Sequence, residues 1–292
     1  MFIRPPGARR FPPRGLPVQN PPQRPQVDDS DDEQAENQFY PVIFDVLKVR
    51  YILLWKVKPE GLPTEVADMI IDAAEYWPST EATLEGGVHI SKDKDQALIY
   101  TAPLCYDEKT LDSPSPKLLP HRTVHPCRKI LFTITSHDQG GYTERRLTAA
   151  DRPPVYDSSF TWFDAEMIHK AHEPSQQRDI HEKMHPEQIQ ARSFVPNDPL
   201  LLPRGNALQR NRARNPRAKR HRVVWHHLDD VEAGTPEVGD LERETGRGRD
   251  TFNGEQVRTM EIGDSIVVWA RARFPGWTNH VDELSVRVFW VV

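Results

Sequence analysis

Histidine and acidic side chains are the first residues in this sequence whose spacing suggests chemistry. His181 and His185 flank Glu182 in the pattern HExxH. On a helix, two histidines four residues apart share a face and bind Zn²⁺, and the glutamate then acts as a general base. Lys183 stands where such a buried helix is normally uncharged, and Pro186 would end or kink the helix directly after the second histidine. We therefore expect a solvated histidine-rich segment here, not a metal site.

A second titratable group, formed by His226, His227, Asp229 and Asp230, lies at the end of a predicted strand. These side chains could hold a metal or transfer protons, but a hydrogen-bonded turn is the simpler interpretation. The sequence has no G-x-S-x-G motif and no glycine-rich phosphate loop followed by an apolar helix. We predict a protein that is not an enzyme and uses neither a cofactor nor a metal, with a metal-dependent hydrolase as the least favoured alternative.

Aromatic and amide side chains in two predicted turns favour binding over catalysis. The segment 274–280 (FPGWTNH) joins two predicted strands, and a loop beginning SHDQGG ends another. An exposed ring in such a turn can stack on a sugar or grip a peptide, whereas a buried Trp277 would only fill the core. Both interpretations of Trp277 stay open. The predicted ligand surface consists of His137, Asp138, Gln139, Phe274, Trp277, Asn279 and His280.

Strand signals dominate the part of the chain that positions these turns. Ile130, Phe132 and Ile134 alternate with other residues in one strand, and the last strand alternates up to Val292. We predict a mainly β fold, an antiparallel β-sandwich (jelly-roll or galactose-binding-like) with a few short helices. It spans residues 81–292, has a polar insertion at about 166–221 and places the last strand centrally in a sheet. Strands are predicted at 88–103, 129–135, 159–163, 222–227, 265–272 and 283–292, with helical turns near 179–191 and 256–260 and a loop at 232–248.

The segment before the sandwich, residues 39–80, contains the clearest helix. Residues 63–76 have the helical stripe Leu62, Val66, Met69, Ile70, Ala73 and Trp77, and Pro78 bars its continuation. The preceding apolar run, 39–57, is compatible with either a helix or a strand.

Composition limits how much of the chain folds and which partners it has. Hydrophobic residues make up 37%, the mean hydropathy is -0.67 and 27 residues are proline, so we expect a disordered tail at residues 1–38. A net charge of -5 gives no argument for nucleic acid, and no stretch approaches the roughly 20 apolar residues of a membrane span. A basic stretch at 210–222 could be a nuclear-import signal or bind an anionic ligand, but we favour a charged loop leading into the strand at Val223. With only two cysteines, we expect reduced thiols and a cytoplasmic or nuclear protein.

Four sequence segments together resemble a known family. They are residues 134–140 (ITSHDQG), 159–163 (SFTWF), 223–225 (VVW) and 263–281 (from GDS to FPGWTNHV). In this order they are similar to a family of uncharacterised fungal proteins. The resemblance implies a C-terminal module without naming its ligand, and we expect a protein or a glycan.

The helix at residues 61–72 (GLPTEVADMIID) resembles the opening of an F-box. This helical motif docks substrate receptors onto the adaptor of cullin-based ubiquitin ligases. The resemblance implies adaptor docking through Leu62, Pro63, Val66 and Ile70. Our first hypothesis is therefore a non-catalytic binding or adaptor protein, and the alternative is an F-box-like substrate receptor.

Overall fold

Alternating apolar side chains build two antiparallel sheets that pack face to face. The computed structural model describes residues 38–140, 155–184 and 190–292, so the predicted tail lies outside them except for Gln38. The strands are β1 (Ser79–Thr83), β2 (Val88–Ser91), β3 (Gln96–Tyr100), β4 (Cys127–Asp138), β5 (Thr161–Ile168), β6 (Ala207–Arg210), β7 (Lys219–His226), β8 (Ser265–Ala272) and β9 (Thr278–Trp290). The mainly β, sandwich-like fold predicted from the sequence is confirmed.

The first sheet, sheet A, has the strand order β1-β9-β4-β7, and β2 pairs with β9 beside β1. The second sheet, sheet B, has the order β3-β8-β5-β6. The side chains of Ile130, Phe132 and Ile134 are buried, as their alternation predicts. The final strand β9 has partners on both sides, which confirms its predicted central position.

Five α-helices accompany the sheets in the described part of the chain. They are α1 (Ile43–Trp55), α2 (Thr64–Ala73), α3 (Pro174–Met184), α4 (Pro236–Thr245) and α5 (Glu255–Thr259). The ambiguous run 39–57 is thus a helix. The loop predicted at 232–248 is wrong, because α4 begins there with a proline in its first turn and ends at Gly246, whose φ of 76° suits a left-handed cap.

The contacts that attach the α1–α2 hairpin to the sandwich include those of Trp77 and Arg122. Trp77 follows α2, is buried, and donates from Nε1 to Oδ1 of Asp72 at 3.0 Å. The Arg122 guanidinium forms ion pairs of 2.8 Å with both Asp68 and Asp72. The described residues from Phe39 onward form one compact unit.

The predicted polar insertion contributes β6 to sheet B and covers part of its outer face. Arg273, which directly follows β8, is buried and donates from Nη2 to the Leu200 carbonyl at 2.7 Å. Its guanidinium also lies 3.8 Å from the centroid of the Phe194 ring. An ion pair with Asp95 holds the same guanidinium from the β2–β3 side. Residues 194–200 are thereby fixed on the sandwich.

Candidate functional site

The candidate site lies at the end of sheet A where β4 ends and β9 begins. Because the strands are antiparallel, the end of β4 pairs with the start of β9, with Asp138 opposite Asn279 and His137 opposite His280. Strand β2 adds His89 on the other side of His280. The end of one predicted turn and the start of the other therefore lie side by side.

Three imidazole rings form a row across β2, β9 and β4. The ring of His280 stacks on that of His137, with centroids 4.6 Å apart and planes inclined by 4°. The Nδ1 atoms of His280 and His89 lie 2.7 Å apart and share a hydrogen bond. This contact requires one ring to donate and the other to accept, so it is incompatible with protonation of both rings. We name His89, His137 and His280 the imidazole row.

Burial and the neighbouring rings favour the neutral form of His280. Burial first, and then the charges of His137 and His89, lower the pKa of His280, while Asp282 opposes them. Within the described residues, no group of three or more His, Cys, Asp and Glu side chains is arranged to hold a metal ion. The shared hydrogen bond and the stacked rings make the imidazole row a surface of hydrogen-bonding rings.

Asp138 and Gln139 hold the neighbouring turns in place. The Asp138 carboxylate is fully buried and accepts hydrogen bonds from the backbone N–H groups of Gly140, at 2.9 Å, and Arg214. Burial raises the pKa of Asp138, and those backbone donors oppose the shift. Oε1 of Gln139 accepts from the N–H of Thr278 at 3.0 Å, which ties the end of β4 to the start of β9. These two side chains position the surface through hydrogen bonds within the protein.

Asn279 belongs to a buried network that links the two sheets. Its Oδ1 accepts from Nδ2 of Asn211 at 2.8 Å, and its Nδ2 donates to the Trp162 carbonyl of sheet B at 3.2 Å. Asn211 also donates to Oγ1 of Thr161 at 3.0 Å and accepts from the Ser136 hydroxyl at 2.7 Å. Asn279 is fully buried. Asn279 therefore supports the surface from below through hydrogen bonds and is not itself part of the surface.

Phe274 and Trp277 form an aromatic group with Phe160. The Phe160 ring lies edge-to-face with both, at centroid distances of 4.7 Å to Phe274 and 5.0 Å to Trp277. Phe274 is 38% exposed and has a φ of 66°, which is costly for a bulky side chain. Trp277 is half-buried. We name Phe160, Phe274 and Trp277 the aromatic rim.

Two contributors to this surface, His89 and Phe160, are not among the predicted site residues. His89 lies in a predicted β segment, and only the β2–β9 register brings it beside His280. Phe160 directly precedes the aromatic strand β5, and its position next to the 274–277 turn follows from the pairing of β5 with β8. Neither contact has a signal in the local sequence.

The other candidate groups occupy separate places. His181 and Glu182 lie on α3 with exposed side chains, and His185 is outside the described residues. His226 is the first residue of the predicted turn. The N–H of His226 donates to Oδ2 of Asp229 at 2.9 Å and closes the turn. That turn also places the rings of His226 and His227 against Trp77.

The predicted docking helix buries only part of its apolar stripe. Val66 and Ile70 are exposed on α2, Leu62 is half-buried just before it, and Pro63 is its exposed N-cap residue. Ala67 and Ile71 are the buried residues of this helix. The four predicted docking residues thus lie at the surface to different degrees.

Comparison with known proteins gives no match to a family model, a curated protein or a solved structure. In the described part of the chain, no helix is long and apolar enough to cross a membrane.

Proposed function

We propose that this protein is a non-catalytic binding module that holds a protein or carbohydrate ligand against the aromatic rim and the imidazole row. The observation that carries the proposal is Phe274, a bulky aromatic residue at positive φ whose side chain is exposed. Backbone strain of this kind costs about 1–3 kcal/mol and concentrates at functional sites. Since glycine would fit this position without strain, a phenylalanine there is best explained by what its ring contacts.

The two parts of the surface supply complementary chemistry. The aromatic rim offers ring faces and edges to an apolar surface, such as one face of a sugar ring or a peptide side chain. The imidazole row offers ring N–H groups and ring nitrogens to the polar groups of the same ligand. The hydrogen bonds of Asp138, Gln139 and Asn279 hold the aromatic rim and the imidazole row at fixed positions relative to each other. This preorganisation lowers the entropy cost of binding.

Glycan and peptide arrays probed with the full chain test the proposal. Trp277→Ala and Phe274→Gly should each abolish the signal. Leu228→Ala is the matched control, because Leu228 is also an exposed apolar residue but lies near the other end of sheet A. It should bind like the unaltered protein.

Thermal unfolding separates function from packing in these variants. Phe274→Gly removes backbone strain but also the edge-to-face contact with Phe160, so its melting temperature should change little while binding is lost. A fall of more than about 3 °C for Trp277→Ala, the change that a loss of roughly 1 kcal/mol gives in a domain of about this size, would make Trp277 a core residue instead.

A second candidate function, adaptor docking through α2, is favoured by the exposure of its stripe. Val66 is 40% exposed and Ile70 is 43% exposed, so both can contact a partner without unfolding the helix. Purified ligase adaptor should bind the full chain and lose that binding on Ile70→Asp but not on Leu228→Asp. No binding of the adaptor to the unaltered chain would refute this candidate.

For the location of this function we propose the cytoplasm or the nucleus. Cys105 and Cys127 are both free and buried, which suits a reducing compartment.

A further inference from the structure

Two imidazole rings at the surface of sheet A turn the same nitrogen atom towards each other. His89 on β2 and His280 on β9 stand directly opposite in the antiparallel pairing of these strands. His89 is exposed and His280 is half-buried. Their Nδ1 atoms lie 2.7 Å apart, and their ring planes are inclined by 67°. Both nitrogens are thus within reach of one small ion that arrives from solvent.

The distance between these nitrogens fits a cation that holds its ligands at right angles. With metal–nitrogen bonds of about 2.0 Å, two ligands at a right angle have nitrogens about 2.8 Å apart, whereas tetrahedral ligands are separated by about 3.3 Å. Square-planar or tetragonal nitrogen sites are typical of Cu²⁺ and Ni²⁺, and tetrahedral sites are typical of Zn²⁺. The 2.7 Å between the Nδ1 atoms agrees with the right-angled arrangement. We propose that His89 and His280 chelate a tetragonal transition-metal cation, with Cu²⁺ bound most tightly.

The protonation of the two rings is compatible with this role. A metal binds a neutral imidazole through a ring nitrogen that carries no proton. Burial first, and then the charges of His137 and His89, lower the pKa of His280, which favours its neutral form. The hydrogen bond between the rings places the proton of one ring on Nδ1. Exchange of that proton to Nε2 of the same ring through water keeps both rings neutral and frees both Nδ1 atoms.

The nearby charge of Asp282 also favours a cation at this position. The Asp282 carboxylate opposes the fall in the pKa of His280, so its negative charge acts on the ring that would bind the metal. A negative charge that stabilises an imidazolium stabilises a bound cation for the same reason.

The third ring of the imidazole row takes no part in the chelate. The ring of His137 is parallel to that of His280 within 4°, with centroids 4.6 Å apart. A metal on His280 lies in the plane of the His280 ring, so the nitrogens of a parallel ring cannot point at it. Nδ1 of His137 also donates to the Asp138 carbonyl at 2.7 Å. The chelate therefore has two protein ligands and leaves its other coordination positions to water or to a bound molecule.

Electron paramagnetic resonance of the full chain with Cu²⁺, prepared without a histidine tag, tests the chelate. One equivalent of Cu²⁺ should give a tetragonal spectrum with nitrogen couplings from two imidazoles. Since loss of an outer-shell partner already costs about 10–100-fold in metal affinity, His89→Gln and His280→Gln should each cost at least that much in competition with a chelator. His137→Gln is the matched control within the row and should keep the two-imidazole spectrum.

The spectrum of the unaltered chain gives a result without any substitution. Couplings from one imidazole, or from more than two, would refute the pairing of His89 with His280. Binding that survives both His89→Gln and His280→Gln would refute it as well. Loss of the signal in the double variant His181→Gln/His185→Gln would place the metal in the HExxH segment and make it an adventitious ion only.

A comparison of Ni²⁺ with Zn²⁺ tests the right-angled geometry. Cu²⁺ exceeds both of these ions in affinity for most nitrogen sites, so its own affinity does not reveal the angle between the ligands. Ni²⁺ should bind more tightly than Zn²⁺, because it accepts ligands at right angles. Tighter binding of Zn²⁺ would contradict the geometry. The chelate does not depend on a glycan or peptide ligand, which the arrays test separately.

Discussion

Lowering the pH from 7 to 5 should destabilise this protein through one buried histidine, His221 on β7. Its ring is buried and its Nε2 has no hydrogen-bond partner among the described residues. Burial first, and then the nearby positive charges of Lys219 and Arg212, lower the pKa of His221 from 6.5 to about 3. The folded chain therefore keeps this ring neutral over a pH range in which the unfolded chain protonates it.

The sign and size of the effect follow from proton linkage. Below pH 6.5 the unfolded state binds a proton that the folded state does not. Above pH 6.5 the ring is neutral in both states, so its protonation costs no stability there. Stability is lost progressively as the pH falls from 6.5 toward 3. Each pH unit in that window costs about 1.4 kcal/mol, so the step from pH 7 to pH 5 should lower the free energy of unfolding by about 2 kcal/mol.

Urea unfolding of the native chain and His221→Gln at several pH values measures this contribution. Other histidines with lowered pKa, such as His280 and His227, shift stability in the same direction in both proteins. The difference in the free energy of unfolding between the native chain and His221→Gln isolates the contribution of His221. This difference should change by about 2 kcal/mol between pH 7 and pH 5, to the disadvantage of the native chain. A difference that stays constant with pH would refute the reasoning, because His221 would then titrate alike in the folded and unfolded chains.

Three further predictions test how the fold holds the surface. Asp95→Ala should lower the free energy of unfolding by about 3–5 kcal/mol in urea, because it leaves the buried guanidinium of Arg273 without a carboxylate and removes one from Arg271. Asn211→Leu should cost at least about 2 kcal/mol, because several buried polar groups lose their partner, and it should also weaken ligand binding. The thiol of Cys127, whose pKa burial raises to about 12, should react with a thiol reagent only after unfolding.

Each of these predictions has a control or a contradicting result. Asp240→Asn breaks an exposed ion pair with Arg243 and should change stability by less than about 1 kcal/mol. A similar loss for Asp95→Ala and Asp240→Asn would contradict the role given to the buried network. Unchanged stability of Asn211→Leu, or modification of Cys127 in the native chain as fast as in a denatured one, would contradict the other two.

The alternation of apolar residues predicted the strands and the centre of the sandwich because its period is set by backbone geometry. The same alternation, continued beyond Ile134, places Asp138 on the buried side of β4 and His137 on the outer side. A predicted strand that ends at Thr135 does not reveal this difference, so both residues are predicted in one ligand surface. The alternation continued up to the turn separates the buried Asp138 from the half-buried ring of His137.

Other features lie beyond local sequence. Helix α1 is apolar on most sides, so its sequence shows neither the helical period of 3.6 residues nor the strand period of two. Strands β1 and β6 are short, with the sequences STEAT and ALQR, and they form because a longer neighbour offers hydrogen bonds. The imidazole row depends on which strands pair and in which register, and register is a property of the whole sheet.

Binding by the full chain on glycan and peptide arrays, compared between the unaltered protein, Phe274→Gly and Leu228→Ala, tests the central claim most directly. We expect a ligand that binds the unaltered protein and Leu228→Ala and is lost with Phe274→Gly, whose melting temperature should change little. Equal binding by all three proteins would contradict it, because the strained, exposed ring of Phe274 would then contribute nothing to recognition.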